Sequence, residues 1–134
     1  MKLFVFKSGD ELIGIESDFV HSVIDDSKVT PVPFTPEPYT GLLYYRGELF
    51  YVINMRLLLG NKAGKSLKAN RIIITKWSNK KLAVIPDEII GMIWIDENAE
   101  NKSEYYHENN KISLIKPDDL WKKLSELSYV SCKI

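Results

Sequence analysis

A mostly-β domain built from barrels is the fold class that this sequence predicts, on three observations. Its apolar segments are short and rich in β-branched and aromatic residues, turn residues separate them, and a convincing helical period appears only near the C-terminal end. Candidate strands are 3–7, 11–16, 19–24, 29–32, 42–45, 48–53, 71–77, 81–85, 89–95 and 112–115. Ten short strands at this spacing suit barrels better than a layered α/β domain.

The first strands are joined by a tight turn, Ser8-Gly9-Asp10, and Ser78-Asn79-Lys80 repeats that arrangement further along, so the two halves of the chain are alike in layout. Between 29 and 38 lie four prolines, at 31, 33, 36 and 38, which predict an extended connector with little ordering entropy left to lose. Arg46-Gly47 then separates two aromatic-rich strands, at a place where glycine can adopt a positive φ. The stretch from Asp96 to Lys111 carries four asparagines and five acidic residues and reads as a long surface loop. A helix closes the chain. Pro117 suits its first position, Asp118 and Asp119 complement its positive end, and Leu120, Leu124 and Leu127 form an i, i+4, i+7 stripe that should pack on the barrels.

With 134 residues, 45% hydrophobic and 27% charged, the chain predicts one globular domain, 1–134, with a core of its own. Two lobes are expected within it, divided somewhere in 36–70. Cys132 is the sole cysteine, which excludes a disulfide framework or a cysteine metal cluster within one chain and fits a reducing compartment. The apolar run at 3–6 is too short for a signal-peptide core, and no run approaches the length of a bilayer span, so a cytoplasmic location without direct membrane insertion is expected.

Net charge is zero, with 18 basic and 18 acidic side chains, yet they are segregated. Between Glu48 and Asp87 fall Arg56, Lys62, Lys65, Lys68, Arg71, Lys76, Lys80 and Lys81 and no acid. That run is either a solvated face or a phosphate-binding one. Within it, Gly60, Gly64, Lys65 and Ser66 nearly spell a phosphate-binding loop. Only three residues separate the glycines, where the motif needs four, and a strand-like Arg71-Ile72-Ile73-Ile74 follows where a helix is required.

No catalytic constellation stands out. His21 and His107 are the only histidines, with no metal-binding neighbourhood, and the paired acids 10–11, 25–26 and 118–119 sit in turns or at the helix start. The distinctive feature is the aromatic density around one arginine in Gly41-Leu42-Leu43-Tyr44-Tyr45-Arg46-Gly47-Glu48-Leu49-Phe50-Tyr51. On alternating strand faces some of these rings either close the barrel or point outward, and outward rings beside an arginine are the residue mix of a protein interface.

Taken in order, several of these segments resemble the CheW-like domain family, adaptors of bacterial chemotaxis. They are Phe4-Val5-Phe6, Gly9-Asp10, Ile13-Gly14-Ile15, the Val20-to-Val23 segment, Gly41 to Gly47, Val52-Ile53-Asn54-Met55-Arg56, Pro86-Asp87-Glu88-Ile89 and Ile112 to Pro117. Tyr44 stands where the family usually has Asn, Asn54 where it has Asp, and the region after Ile95 is shorter, which predicts a reduced hairpin in the second barrel.

The resemblance implies two SH3-like five-stranded β-barrels sharing a core, with no catalysis and no cofactor. It also implies two partners: the cytoplasmic tips of methyl-accepting receptors and the barrel domain of the histidine kinase CheA. Val20 and Arg46 match receptor-contact positions, with Ser22 beside them. Gly41 and Gly47 frame the turn, and Ile53 and Leu57 lie near it on a kinase or receptor face. Recruitment to membrane receptor arrays follows from the same resemblance. The alternatives are a divergent scaffold of another chemosensory pathway, or a nucleic-acid-binding barrel using the basic run 56–81 with Trp77 for stacking; an enzyme would draw on His21, His107 or Cys132.

Overall fold

A computed structural model describes residues 2–25, 29–30, 39–58, 71–95 and 104–131, the last five of these by backbone alone. Ten strands and two α-helices form β1 (Lys2–Ser8), β2 (Glu11–Glu16), β3 (Val20–Asp25), β4 (Tyr39–Tyr45), β5 (Glu48–Asn54), α1 (Met55–Leu58), β6 (Arg71–Trp77), β7 (Lys80–Ile85), β8 (Glu88–Trp94), β9 (Glu104–His107), β10 (Asn110–Leu114) and α2 (Pro117–Ser131). They make two five-stranded sheets, β8-β1-β2-β10-β9 in the first lobe and β3-β6-β7-β5-β4 in the second.

The lobes are interlocked. Five strands and a helix occur twice in sequence, β1–β5 with α1 and β6–β10 with α2, and the third strand of each unit pairs with the first strand of the other: β3 with β6 and β8 with β1. The chain therefore passes between sheets at 17–19 and again at 86–87, not once within 36–70. The two registers match in detail. The first hairpin of each unit is antiparallel, its second strand runs parallel to the fifth strand of the other unit (β2 with β10, β7 with β5), and the crossing strand carries an irregularity at the same place, Ile90 in β8 and His21 in β3.

This topology explains the unbroken apolar runs in β1 and β6. Strands buried on both faces lose the polar alternation of a half-exposed sheet. Leu3 and Val5 point into the first lobe with Tyr105 and Ile112; their counterparts Ile72 and Ile74 point into the second with Leu43 and Phe50. Phe4, Phe6, Ile13 and Ile15 face the other way and meet Ile73, Leu82, Val84 and Ile53 in a core that both lobes share, closed by Met55 and Leu58 of α1 and Leu120 and Leu124 of α2.

The hairpin turns are two residues long. Arg46-Gly47, Ser78-Asn79 and Glu108-Asn109 all have positive φ at both positions, the geometry whose twist matches that of the flanking strands. The expected long loop from Asp96 to Lys111 is thus partly wrong: Glu104–His107 is a strand, and β9 and β10 form a full hairpin where a reduced one was expected. The candidate strand at 29–32 contributes one bridge, Thr30 to Leu42; 31–38 lie outside the described residues, as do 60–70 of the phosphate-loop-like run.

Asp87 fastens the second crossing to the first hairpin. Its carboxylate accepts the Gly9 N–H at 2.6 Å, and its own N–H donates to the Lys7 carbonyl at 2.9 Å. In Asp87→Ala the part-buried Gly9 donor loses its partner, and urea unfolding should show a loss of about 1–3 kcal/mol. A midpoint equal to that of the unaltered protein would remove Asp87 from the fold's fastenings.

Candidate interaction faces

The aromatic-rich hairpin β4–β5 has two faces with different fates. Leu43, Phe50 and Val52 point inward and are buried. On the other face Leu42 lies opposite Tyr51 and Tyr44 opposite Leu49, and Tyr44, Leu49 and Tyr51 are at least half exposed. Of the two dispositions open to these rings, the structure divides them by strand alternation: every second one closes the lobe and every other one faces outward.

The equivalent hairpin of the first lobe, β9–β10, supplies an internal comparison. Tyr106 occupies the place of Tyr44 and is exposed like it, but its cross-strand neighbour is Lys111, which pairs with Glu104 at 2.9 Å. The same backbone thus carries a solvated polar face in one lobe and an apolar one in the other. The fold does not require the apolar side chains of β4–β5, so another role must account for them.

A second asymmetry lies on the crossing strands. The outward residues of β8 are Ile90, Met92 and Trp94, the last 72% exposed with Lys2 stacked 5.5 Å from its ring. Their counterparts on β3 are His21, Val23 and Asp25. Here the first lobe bears the apolar stripe. Sequence reading takes 89–95 for an ordinary strand; only the register against β1 reveals which of its side chains lack cover.

The predicted site residues separate into two groups. Arg46 is exposed at the β4–β5 turn, its guanidinium 5.3 Å from the Tyr45 ring, and Tyr45 meets Phe50 edge-on at 6.3 Å. The Ser22 hydroxyl donates to the Tyr45 hydroxyl at 3.2 Å and so links β3 to β4, the two edge strands of this sheet. Ser22 and Arg46 are therefore neighbours through one tyrosine. Val20 is half-buried against the shared core, as is Ile89, its counterpart on β8. Gly47 takes φ +79° with open space where a Cβ would stand, so its conformation, not crowding, restricts substitution.

Ile53 is fully buried in the shared core, which removes it from any contact surface. An apolar residue near a turn is legible as "interface" or "core" only once its strand face is known. Gly41 is also buried, at a register shift in β4, and Leu57 is half-buried, with its N–H donating to the Asn54 side chain that opens α1. His21 is exposed on β3, His107 ends β9, and Cys132 lies outside the described residues.

In the described part of the basic run Arg71 is exposed at the start of β6, but the three lysines are engaged by carboxylates. Lys76 and Lys81 converge on Glu48, at 2.7 and 3.5 Å, and Lys80 lies 3.6 Å from Asp118. Trp77 is buried, with its indole N–H donating to Asp118 at 2.7 Å, so it offers no ring for a nucleotide base to stack on. Arg56 is buried as well.

Two interlocked β lobes define a β fold whose distinctive features are two exposed apolar faces that differ between the lobes. The family model of the CheW-like domain matches residues 2–116, and the chain belongs to that family of chemotaxis scaffold and adaptor proteins. It is 26% identical over 116 residues to the chemotaxis protein CheW of Thermotoga maritima, covering 84% of this chain and 76% of that protein. Protein FrzA of Myxococcus xanthus is 25% identical over 91 residues, covering 68% of this chain and 57% of FrzA. The crystal structure of the scaffolding protein TtCheW from Thermoanaerobacter tengcongensis superposes with a TM-score of 0.79 at 28% identity, covering 90% of this chain and 92% of that one. Among the described residues no helix is long and apolar enough to cross a membrane.

The hydrogen bond from Lys76, then the charges of Lys76 and Lys81, hold the Glu48 carboxyl below its ordinary range despite an opposing effect of burial. A carboxyl depressed in the folded state contributes stability above its unfolded pKa and loses it as pH falls through the folded one. An NMR titration should therefore place the Glu48 midpoint below that of a free glutamate, and Lys76→Met should move it back up. An unmoved midpoint would break the assignment of the shift to Lys76.

Proposed function

We propose that this chain is a non-catalytic adaptor coupling methyl-accepting chemoreceptors to the histidine kinase CheA, recruited from the cytoplasm to receptor arrays. The observation that carries the reading is the pair of apolar faces: Leu42, Leu49 and Tyr51 stand where the other lobe has Glu104, Lys111 and Ser113, and Ile90 and Trp94 where it has His21 and Asp25. A domain that must hold two partners at once needs surfaces with separate access, and the two apolar faces, on β4–β5 and on β8, lie on different lobes.

The outward face of β4–β5, with Leu42, Tyr44, Leu49 and Tyr51, suits the barrel domain of the kinase: it is rich in tyrosine and backed by a rigid hairpin, as protein interfaces are. The receptor tip is assigned to Arg46, Ser22 and Val20, and to the β8 stripe, because Val20 and Ile89 border the same shared core. Arg46 offers a fork of donors on an exposed turn, positioned by its contact with Tyr45. Each contact should be modest alone, since transient signalling interfaces are small and arrays gain strength from multivalency.

The test is capture of the kinase's C-terminal barrel domain and of a receptor-tip fragment by the purified chain. Leu49→Asp should abolish capture of the kinase domain and spare that of the receptor fragment. Arg46→Ala should weaken receptor binding by about 1–2 kcal/mol with the melting temperature almost unchanged. Capture of neither fragment by the unaltered protein would defeat this function and leave the fold standing.

A further inference from the structure

The outward face of β4–β5 does not end at Tyr51. The Tyr51 ring meets the ring of Trp121 on α2 edge-on at 6.3 Å and that of Tyr39 at 6.2 Å; Trp121 in turn meets Trp77 edge-on at 5.9 Å. All three separations lie in the range where a ring edge is attracted to a ring face. Lys80 places its ammonium 5.8 Å from the Trp121 ring, and Asp118, one turn earlier on α2, holds both Lys80 and the Trp77 indole N–H. Trp121 is thus fixed from three sides, and Tyr51 is the one ring of this series that is both fixed by it and half exposed.

Among the described residues α1 covers Met55–Leu58, and α2 runs for fifteen residues. Leu120 and Leu124 fill the shared core as Met55 and Leu58 do. Trp121 packs against the edge of that core through Trp77 and also reaches the second lobe's hairpin. Through it α2 adds to its core contacts one with the half-exposed Tyr51 of β5.

We propose that α2 is a working part of the β4–β5 docking face, with Trp121 as a positioning residue that holds the Tyr51 ring in the orientation its partner meets. A tyrosine on a strand face can swing about its first torsion; an edge-on tryptophan behind it removes that freedom before binding, so less entropy is lost in the complex. The inference rests on the assignment of this face to the kinase's barrel domain.

The experiment is calorimetric titration of the kinase's barrel domain, and separately of the receptor-tip fragment, into the full chain and its variants. Trp121→Leu should weaken kinase-domain binding about three- to tenfold, the size of an aromatic pair contribution, and leave receptor-fragment binding unchanged. Trp121→Phe, which keeps a ring edge, should recover most of the loss. The decisive arm is the double variant: in a Tyr51→Ala background, Trp121→Leu should cost nothing more, because its effect passes through Tyr51. Equal loss for both fragments, full additivity with Tyr51→Ala, or no loss at all would each overturn the proposal.

A measurement without substitution covers the case in which Trp121→Leu fails to fold. The Trp121 indole N–H signal should shift when the kinase domain is added and stay in place with the receptor fragment; an unmoved signal in both overturns the proposal. Retained kinase binding in Leu49→Asp would defeat the docking assignment itself. Loss in Leu49→Asp with no effect at Trp121 would defeat only the role given to α2.

Discussion

The shared core is the constraint from which the rest of this structure follows. β1 and β6 are each buried on both faces, one row of side chains filling their own lobe and the other row filling the space between lobes. Neither sheet can satisfy its first strand alone, because the apolar row that faces the other lobe would be left in water, at about 25 cal/mol for each Å² of apolar surface. The exchange of third strands ties the lobes covalently as well as through packing. β3 and β8 sit at the borders of that core, and five of the candidate contact residues, Val20, Ser22, Ile90, Met92 and Trp94, lie on those two strands.

The repeat also shows how the two lobes compensate in detail. Inside the first lobe Tyr105 and Ile112 take the places of Leu43 and Phe50 in the second, so each pair supplies one large ring and one aliphatic side chain in opposite order. Gly14 stands where the second lobe has Ala83, and a Cβ on Gly14 would meet Ile112 at 3.0 Å and Leu3 at 3.2 Å. Interiors at crystal-like density conserve total volume more strictly than residue identity. Outward faces carry no such constraint, which is why differences there report on function.

Much of this was legible in the sequence. The strands at 11–16 and 71–77 match the structure residue for residue, and the turns at 9–10, 46–47 and 78–79 declared themselves through glycine and asparagine, while the Glu108-Asn109 turn was hidden in the expected long loop. What escaped has physical causes. β9 is four residues long and holds two acidic-flanked tyrosines and a histidine, so polar neighbours mask its alternation; a strand paired to a sheet edge needs only one good face. The described part of α1 is four residues, too few to show a period. Ile53 and Met92 carry the same apolar label in the sequence, yet one is sealed in the core and the other is nearly half exposed. That distinction depends on register, and register between distant strands is a tertiary property.

Apolar exposure by itself would not separate a docking face from an accident of folding, since much of any protein surface is apolar. The internal duplication supplies the missing control. Tyr44 and Tyr106 occupy equivalent, equally open positions, so an exposed tyrosine beside that turn is compatible with the bare architecture. Leu49 against Lys111, and Trp94 against Asp25, are the positions where the lobes part company. Strand order and register are held constant in each comparison, and side-chain chemistry changes. A fold that tolerates a charged residue at one copy of a position does not need a leucine or tryptophan at the other, and water penalises the apolar choice. The apolar residues stand on different strands of two different lobes, so the adaptor reading proposed for this chain has a separate candidate face for each of its two partners.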